Sequence, residues 1–349
     1  MRVVVLGATG NIGTSTVQSL ATDPRVTSIL GVARRRPGWQ QDKTEWAEAD
    51  IGSDGLVPLL RGADAVVMLA WLFQPTHDPA VTWQTNVVGN ARVLQAAADA
   101  GVPAVVCASS VGAYSPGPKD RAVSETWPTH GWPGSQYGRE KAYLERLLDS
   151  FEAAHPQCRV VRLRPGFVFK REAASQQRRL FAGPLVAGRL ASPGLAPVVP
   201  DFAGLRFQAV HSADVGAACR LAVLGDARGA FNIAADPVIG PAELARLMHA
   251  RPVKLPATGV RAALAAAWWL RLVPADPGLF DLLVRVPIMD VTRARSELGW
   301  SPRYPATDAM ETFLDGLRDA AGMDTPPLAP HAGGQFRVRE LLTGVGGRP

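Results

Sequence analysis

The apolar positions of the first half of the chain fall into two alternating patterns. Short, nearly unbroken apolar runs occupy Arg2–Leu6, Ile29–Ala33, Thr44–Ala49, Ala65–Ala70, Ala104–Ser109 and Arg159–Leu163. Strands buried on both faces have this character. Between them lie longer stretches with helical spacing. "TSTVQSLAT" follows the first run, "NVVGNARVLQAAADAG" stops at Gly101, and "QYGREKAYLERLLDSFEAAH" stops before Pro156. Strand–helix alternation predicts parallel pairing through right-handed crossovers, and hence an α/β fold with an open, doubly wound sheet of the Rossmann type.

The rhythm changes after about Pro165. Proline and glycine become frequent in "AGPLVAGRLASPGLAPVVP" and "ARPVKLPATG". This predicts a smaller, irregular C-terminal substrate lobe over 166–322, beside a dinucleotide-binding domain over 1–165. Residues 207–235 still carry sheet-like and helical patterns and are expected to return to the first domain. Residues 323–349 read as a tail with one short helix at Val338–Leu342.

Composition narrows the class. With 47% hydrophobic and 19% charged residues, the 349-residue chain can bury a core. The net charge of +6 comes from arginines spread along the chain without a nucleic-acid signature, so no nucleic-acid partner is expected. Cys107, Cys158 and Cys219 lie far apart in apolar surroundings and read as buried thiols, consistent with a cytoplasmic protein and no metal site. The run "ALAAAWWL" (263–270), between Arg261 and Arg271, is too short to span a membrane and reads as a packed helix or a subunit contact, with peripheral membrane contact as the lesser alternative.

The chemistry begins at "GATGNIG". Gly7, Gly10 and Gly13 follow a strand and open a helix. Gly7 suits a tight turn, Gly10 lets backbone approach a pyrophosphate, and Gly13 permits close helix–strand packing. The helix N-terminus offers N–H groups to phosphates. About 20 residues on, where a carboxylate would bind the ribose of NAD, the sequence is "GVARRRPG". Arg34 and Arg35 there suit a 2′-phosphate, so NADP is expected in preference to NAD.

Tyr137 and Lys141 in "YGREK" share a helix face at spacing i, i+4. A nearby ammonium is expected to lower the phenol pKa, so that Tyr137 exchanges a proton with a substrate oxygen. "CASSVGAYS" places Ser109 and Ser110 at the end of the fifth strand, where open α/β sheets bind ligands.

Together with "ADI", "VVMLAW", "LRPGFVF", "VHSADV" and "RARSELGW", these motifs run in order over some 300 residues. In this the chain resembles the extended short-chain dehydrogenase/reductases, the NAD-dependent epimerase/dehydratase family. The resemblance implies a catalytic set of Ser110, Tyr137 and Lys141. It also implies a cofactor site that adds Thr9, Asn11, Ile12, Asp50, Ile51, Leu69, Ala70, Ser109 and Pro165 to the glycines and arginines, with Tyr137 and Lys141 themselves touching the cofactor. Asn86 is read as structural and Asp214 as a helix cap. Homodimerisation is common in the family.

Several positions depart from the pattern. Val111 and Gly112 follow Ser110 where dehydratases of this group carry an Asp-Glu pair. Phe207 stands where nucleotide-sugar epimerases usually have an arginine, and Lys170 replaces the last glycine of "LRPxxVxG". "KREAASQQRRLF" (170–181) reads as a solvated helix face rather than a site for an acidic substrate. Trp71 and Phe73, after the fourth strand, are candidate contacts for a small or lipid-like ketone or alcohol. The expected activity is hydride transfer at a secondary alcohol or ketone carbon of a small-molecule substrate. Nucleotide-sugar epimerisation is one alternative and a non-catalytic NADP-binding regulator the other.

Overall fold

The computed structural model describes residues 1–73, 77–182 and 196–330. The helix expected at Val338–Leu342 lies outside the described residues.

A seven-stranded parallel sheet organises the chain. Its strands are β1 (Arg2–Leu6), β2 (Ser28–Ala33), β3 (Thr44–Glu48), β4 (Ala65–Met68), β5 (Ala104–Ala108), β6 (Arg159–Pro165) and β7 (Gly229–Ile233), in the spatial order β7-β6-β5-β4-β1-β2-β3. The order reverses between β1 and β4, and this switch point opens a crevice at the carboxyl ends of the strands. Because both faces are covered, Val3, Val4, Val5, Val66, Val67, Val105 and Val106 are all fully buried.

The covering helices include α1 (Asn11–Ala21), α2 (Asn90–Asp99), α3 (Gln136–Ala154) and α4 (Ser212–Leu224). Gly216 on α4 allows the α1 backbone to come so close that a Cβ there would lie 2.5 Å from the Ser15 carbonyl oxygen. Ser135 caps α3 by accepting from the Gly138 N–H at 3.3 Å. The expected cap role of Asp214 is taken instead by His211, whose side chain accepts from Ala213 N–H. Asp214 lies inside the first turn, and its carboxylate receives the Arg303 and Tyr304 N–H groups, tying a distant loop to α4.

Outside the main sheet, Phe167–Phe169 pairs with Ala209–His211, and Val198–Asp201 with Arg251–Lys254. Phe202, Phe207, Ile239, Phe280 and Met310 form a separate core beneath these pairs. The segment starting at Lys170 is not a solvated face. Lys170 is buried, and Nζ donates to Thr14 Oγ1 on α1 at 2.5 Å. Ala173, Ala174 and Ser175 are buried beside Gly316. Where a tail is expected from residue 323, the chain to 330 instead closes over the glycine loop. Thr325 Oγ1 donates to the Thr9 carbonyl at 2.9 Å, and the Asp324 carbonyl accepts from Trp39 N–H at 2.9 Å.

Candidate active site at the carboxyl edge of the sheet

The glycine loop has the spacing a dinucleotide requires. Gly7 has φ +82°, and a Cβ there would lie 2.6 Å from the Ala70 backbone nitrogen. Gly13 packs so tightly that a Cβ would lie 2.2 Å from the Gly7 carbonyl oxygen. Gly10 differs, because a Cβ there would make only an ordinary contact with Gly7 at 3.5 Å. Among the described residues nothing packs tightly against Gly10, which leaves its backbone open to close approach by a ligand. Gly10 is also the N-cap of α1, and no side chain caps that end. The residues present therefore fit a pyrophosphate.

Around the loop, Thr9 is buried, Ile12 packs against the core, and Asn11 donates to the Val168 carbonyl while its Oδ1 is buried without a partner. Arg34 and Arg35 are exposed just beyond β2, and neither has a partner among the described residues. Asp50 accepts from Gly52 N–H in a turn after β3. Ile51 is buried in the core, against Gly89. Leu69 and Ala70 follow β4 against Gly7, and Pro165 ends β6.

Ser110, Tyr137 and Lys141 come together beyond β5. The Ser110 hydroxyl accepts from Gly112 N–H at 3.0 Å and lies close enough to the Tyr137 phenol to lower its pKa. Burial raises the Tyr137 pKa to about 12, against a lowering by Ser110 and a further raising by Glu140. The lowering expected from Lys141 does not appear. Lys141 Nζ lies 5.9 Å from the tyrosine ring centroid and is engaged elsewhere, donating to the Ala108 carbonyl at 2.9 Å and sitting 3.5 Å from the Trp71 ring centroid. Burial pulls the Lys141 pKa down to about 8.

An aromatic enclosure surrounds the phenol. Trp71 meets Tyr137 edge-on at 6.0 Å, Phe73 packs on it at 4.6 Å, and Phe181 packs on Phe73 at 5.3 Å. A cleft beside the ring is lined by Leu72, Phe73, Gln136, Tyr137, Asp276 and Leu279. The loop bearing Trp71 and Phe73 is clamped by Asn86, which lies in a π-turn at Gln84–Gly89. Its Oδ1 accepts from Leu72 N–H at 2.7 Å, and its Nδ2 donates to the Leu72 carbonyl and to Glu140 on α3.

Sequence reasoning missed the cluster beneath the site. Glu145 on α3 is buried with Arg162 and Arg164 on β6, and Arg164 meets it through two nitrogens at 2.9 Å. Burial raises the Glu145 pKa, but the hydrogen bonds and charge of Arg164, with Ser109 and Arg162, hold it down at about 2. Ser109 Oγ donates to Glu145 at 2.5 Å, so its hydroxyl serves this cluster. The charge alternation in "LERLLDSFE" was the available signal, since Glu145 falls on the apolar face of α3.

Similarity to known proteins follows the same lines. An uncharacterized protein of Mycobacterium tuberculosis is 25% identical over 341 residues, covering 94% of this chain and 86% of that protein. A 3-diazoavenalumate denitrifying reductase of Streptomyces is 28% identical over 327 residues, covering 88% of this chain and 97% of the reductase. The solved UDP-glucose 4-epimerase of Thermus thermophilus, in complex with NAD, shares the fold with a TM-score of 0.67 at 21% identity, covering 92% of this chain and all of that one. The profile of the NAD dependent epimerase/dehydratase family matches residues 3–234. With its seven-stranded parallel sheet and glycine-loop crevice, the chain belongs to the NAD-dependent epimerase/dehydratase family.

Proposed function

We propose that the chain is an NADP-preferring oxidoreductase acting at a secondary alcohol or ketone carbon of an apolar small molecule, with Ser110, Tyr137 and Lys141 as its working groups. The observation that supports it best is the placing of the Tyr137 phenol beside the Ser110–Gly112 turn, inside the aromatic enclosure of Trp71 and Phe73. The glycine loop and the first turn of α1 would hold the dinucleotide, with Arg34 and Arg35 on its 2′-phosphate. The bound nicotinamide supplies or accepts the hydride.

The chain's own residues manage the oxygen. A phenol with a pKa near 12 is protonated at neutral pH, which suits it to donate rather than accept. Ser110 and Tyr137 hold the carbonyl oxygen by two hydrogen bonds. As the carbon gains hydride, the oxygen takes the Tyr137 proton, and solvent restores it. Lys141 keeps a positive charge beneath the site and steadies the developing anion. In the ketone-reducing direction this phenol is the proton donor.

Two family alternatives fit less well. A Cβ on Gly112 would lie 2.8 Å from Tyr137 Cε1, so the acidic side chain of a dehydratase has no room there. Phe207 is buried where a nucleotide-sugar epimerase would hold a diphosphate with arginine. The likeness to a named reductase agrees with reduction. The test is Tyr137→Phe assayed by NADPH consumption on a panel of hydroxysteroid-like ketones, acyl-CoA ketones and nucleotide sugars. Turnover should fall on the order of 10²–10⁴-fold with NADPH affinity retained. Undiminished turnover in the variant would overturn the mechanism, and turnover confined to nucleotide sugars would overturn the substrate class.

A further inference from the structure

The stretch "ALAAAWWL" stands apart from this chemistry. It belongs to α5 (Ala257–Trp269), of which Trp268 is the one buried residue. Trp269 is 79% exposed and Leu270 70% exposed, with Leu272 beside them at 44%. Ala262, Ala263 and Ala266 are also exposed, and Val253 on the strand Arg251–Lys254 and Leu255 just after it lie exposed before α5. Large apolar side chains so fully in water at one helix end need a partner.

Cations outnumber anions around this face. Residues 244–275 contain Arg246, Arg251, Lys254, Arg261 and Arg271 and not one Asp or Glu. Arg246 pairs with Glu243 and Arg261 with Asp281. Arg251, Lys254 and Arg271 have no side-chain partner among the described residues.

The tip is also finished in its backbone. Leu270 N–H bonds the Ala266 carbonyl, Arg271 N–H the Trp268 carbonyl and Leu272 N–H the Ala267 carbonyl. This closure takes up the Ala266, Ala267 and Trp268 carbonyls, as a Schellman motif does. It usually places glycine where Arg271 stands at φ +55°. A cation is kept there at a conformational cost, between two exposed leucines. With these three carbonyls satisfied, the turn has fewer polar groups to desolvate on entering a low-dielectric layer.

We propose that α5 and its terminal turn dock the protein on an anionic lipid bilayer, with Trp269, Leu270 and Leu272 in the interface and Arg251, Lys254 and Arg271 on the headgroups. No helix among the described residues is long and apolar enough to cross a membrane, so the contact is peripheral. A second copy of the chain suits the face less well. Around a two-fold axis the same unpaired cations would be brought together with no carboxylate from this stretch to offset them. The surface adjoins the loop bearing Trp71 and Phe73, because Trp268 stacks on His77 at 3.7 Å and 8°. An apolar substrate dissolved in the bilayer would then reach the cleft without crossing water.

The experiment is co-sedimentation of the full chain with vesicles of phosphatidylcholine alone and of phosphatidylcholine with phosphatidylglycerol, for wild type and Trp269→Ser plus Leu270→Ser. Both substituted residues are exposed, so the thermal unfolding midpoint should not move. Binding should be at least about tenfold tighter to the anionic vesicles, weaken at high salt, and fall about tenfold or more in the double variant. Absence of binding to anionic vesicles, or binding that the double variant leaves intact, overturns the proposal. So does a wild-type dimer in solution that the same substitutions dissociate. None of these readouts depends on turnover, so the outcome is separate from that of the Tyr137 test.

Discussion

The Lys141 ammonium sits 3.5 Å from the centroid of the Trp71 indole, nearer than to the ring of Tyr137. A desolvated cation on an indole face gains on the order of 2 kcal/mol. That contact partly offsets the burial that already draws the Lys141 pKa down to about 8. The charge state of Lys141 therefore depends on a residue of the loop after β4.

Replacing Trp71 with leucine should move the pH dependence rather than abolish activity. Without the indole face the neutral form of Lys141 gains, so its pKa falls further, by about one unit for each 1.4 kcal/mol lost. The alkaline limb of kcat/KM for the cofactor, which reports the free enzyme, should shift about one unit towards lower pH. Trp71→Phe, which keeps an aromatic face, should shift it less. An alkaline limb that stays in place in Trp71→Leu would show that the charge is set elsewhere.

Ser109 and Ser110 are adjacent, yet their variants should behave differently. Ser109→Ala removes the donor at 2.5 Å from Glu145 within a buried ionic cluster. It should lower stability by about 1.5–3 kcal/mol, the range for a hydrogen bond to a charged group. NADPH affinity should be unchanged. Ser110→Ala should spare stability and cut turnover. Urea unfolding and cofactor fluorescence titration on both variants decide the matter, and a cofactor defect in Ser109→Ala would return that residue to the binding site.

Arg34 and Arg35 are the proposed holders of the cofactor's 2′-phosphate. Both are exposed beyond β2 without internal partners, so replacing them should leave folding untouched. Each charge-assisted contact to a phosphate contributes roughly 1.5–3 kcal/mol. Arg34→Ala plus Arg35→Ala should weaken NADPH binding by about tenfold or more and NADH binding little. Parallel titrations measure the ratio, and a constant ratio would assign both arginines to solvent.

The legibility of this chain follows where its information lies. Strands buried on both faces announce themselves as unbroken apolar runs, so six of the seven sheet strands fall within a residue or two of where the pattern puts them. The glycine loop is legible because its constraints are local: Gly7 and Gly13 are forced by atoms within the same βαβ unit or beside it. The convergence of Ser110 with Tyr137 also follows, since each sits at the carboxyl end of its strand or the start of its helix. Charged residues misled where burial comes from remote elements. Lys170 precedes Arg171 and Glu172 and looks solvated, but α1 closes over it. Glu145 looks like one more surface acid on α3 until β6 brings Arg162 and Arg164 beneath it. The aim of Lys141 at Trp71 depends on the loop that Asn86 clamps, a contact between residues far apart in the chain.

Lys170 gives the sharpest test of that hidden burial. Its ammonium donates to Thr14 Oγ1 at 2.5 Å and is 4% exposed, and burial lowers its pKa from 10.5 to about 8. Below pH 8 both the folded and unfolded chains hold this proton, and the cost of the buried charge is fully present. Between pH 8 and 10.5 the unfolded chain holds a proton that the folded chain has released, so this group raises stability as pH rises. The whole span is worth about 3 kcal/mol. Lys170→Met keeps the side chain's length and removes the charge. Thr14 Oγ1 still donates to the Gly10 carbonyl, so no buried hydroxyl is stranded. The variant should be more stable than wild type at pH 7 by up to about 3 kcal/mol, and that advantage should shrink steadily by pH 10. Lys119 and Lys141 are also depressed by burial, but they are common to both proteins and cancel in the difference. Urea midpoints at pH 7 and pH 10 measure it, and a gap of equal size at both would mean that Lys170 titrates as though it faced water.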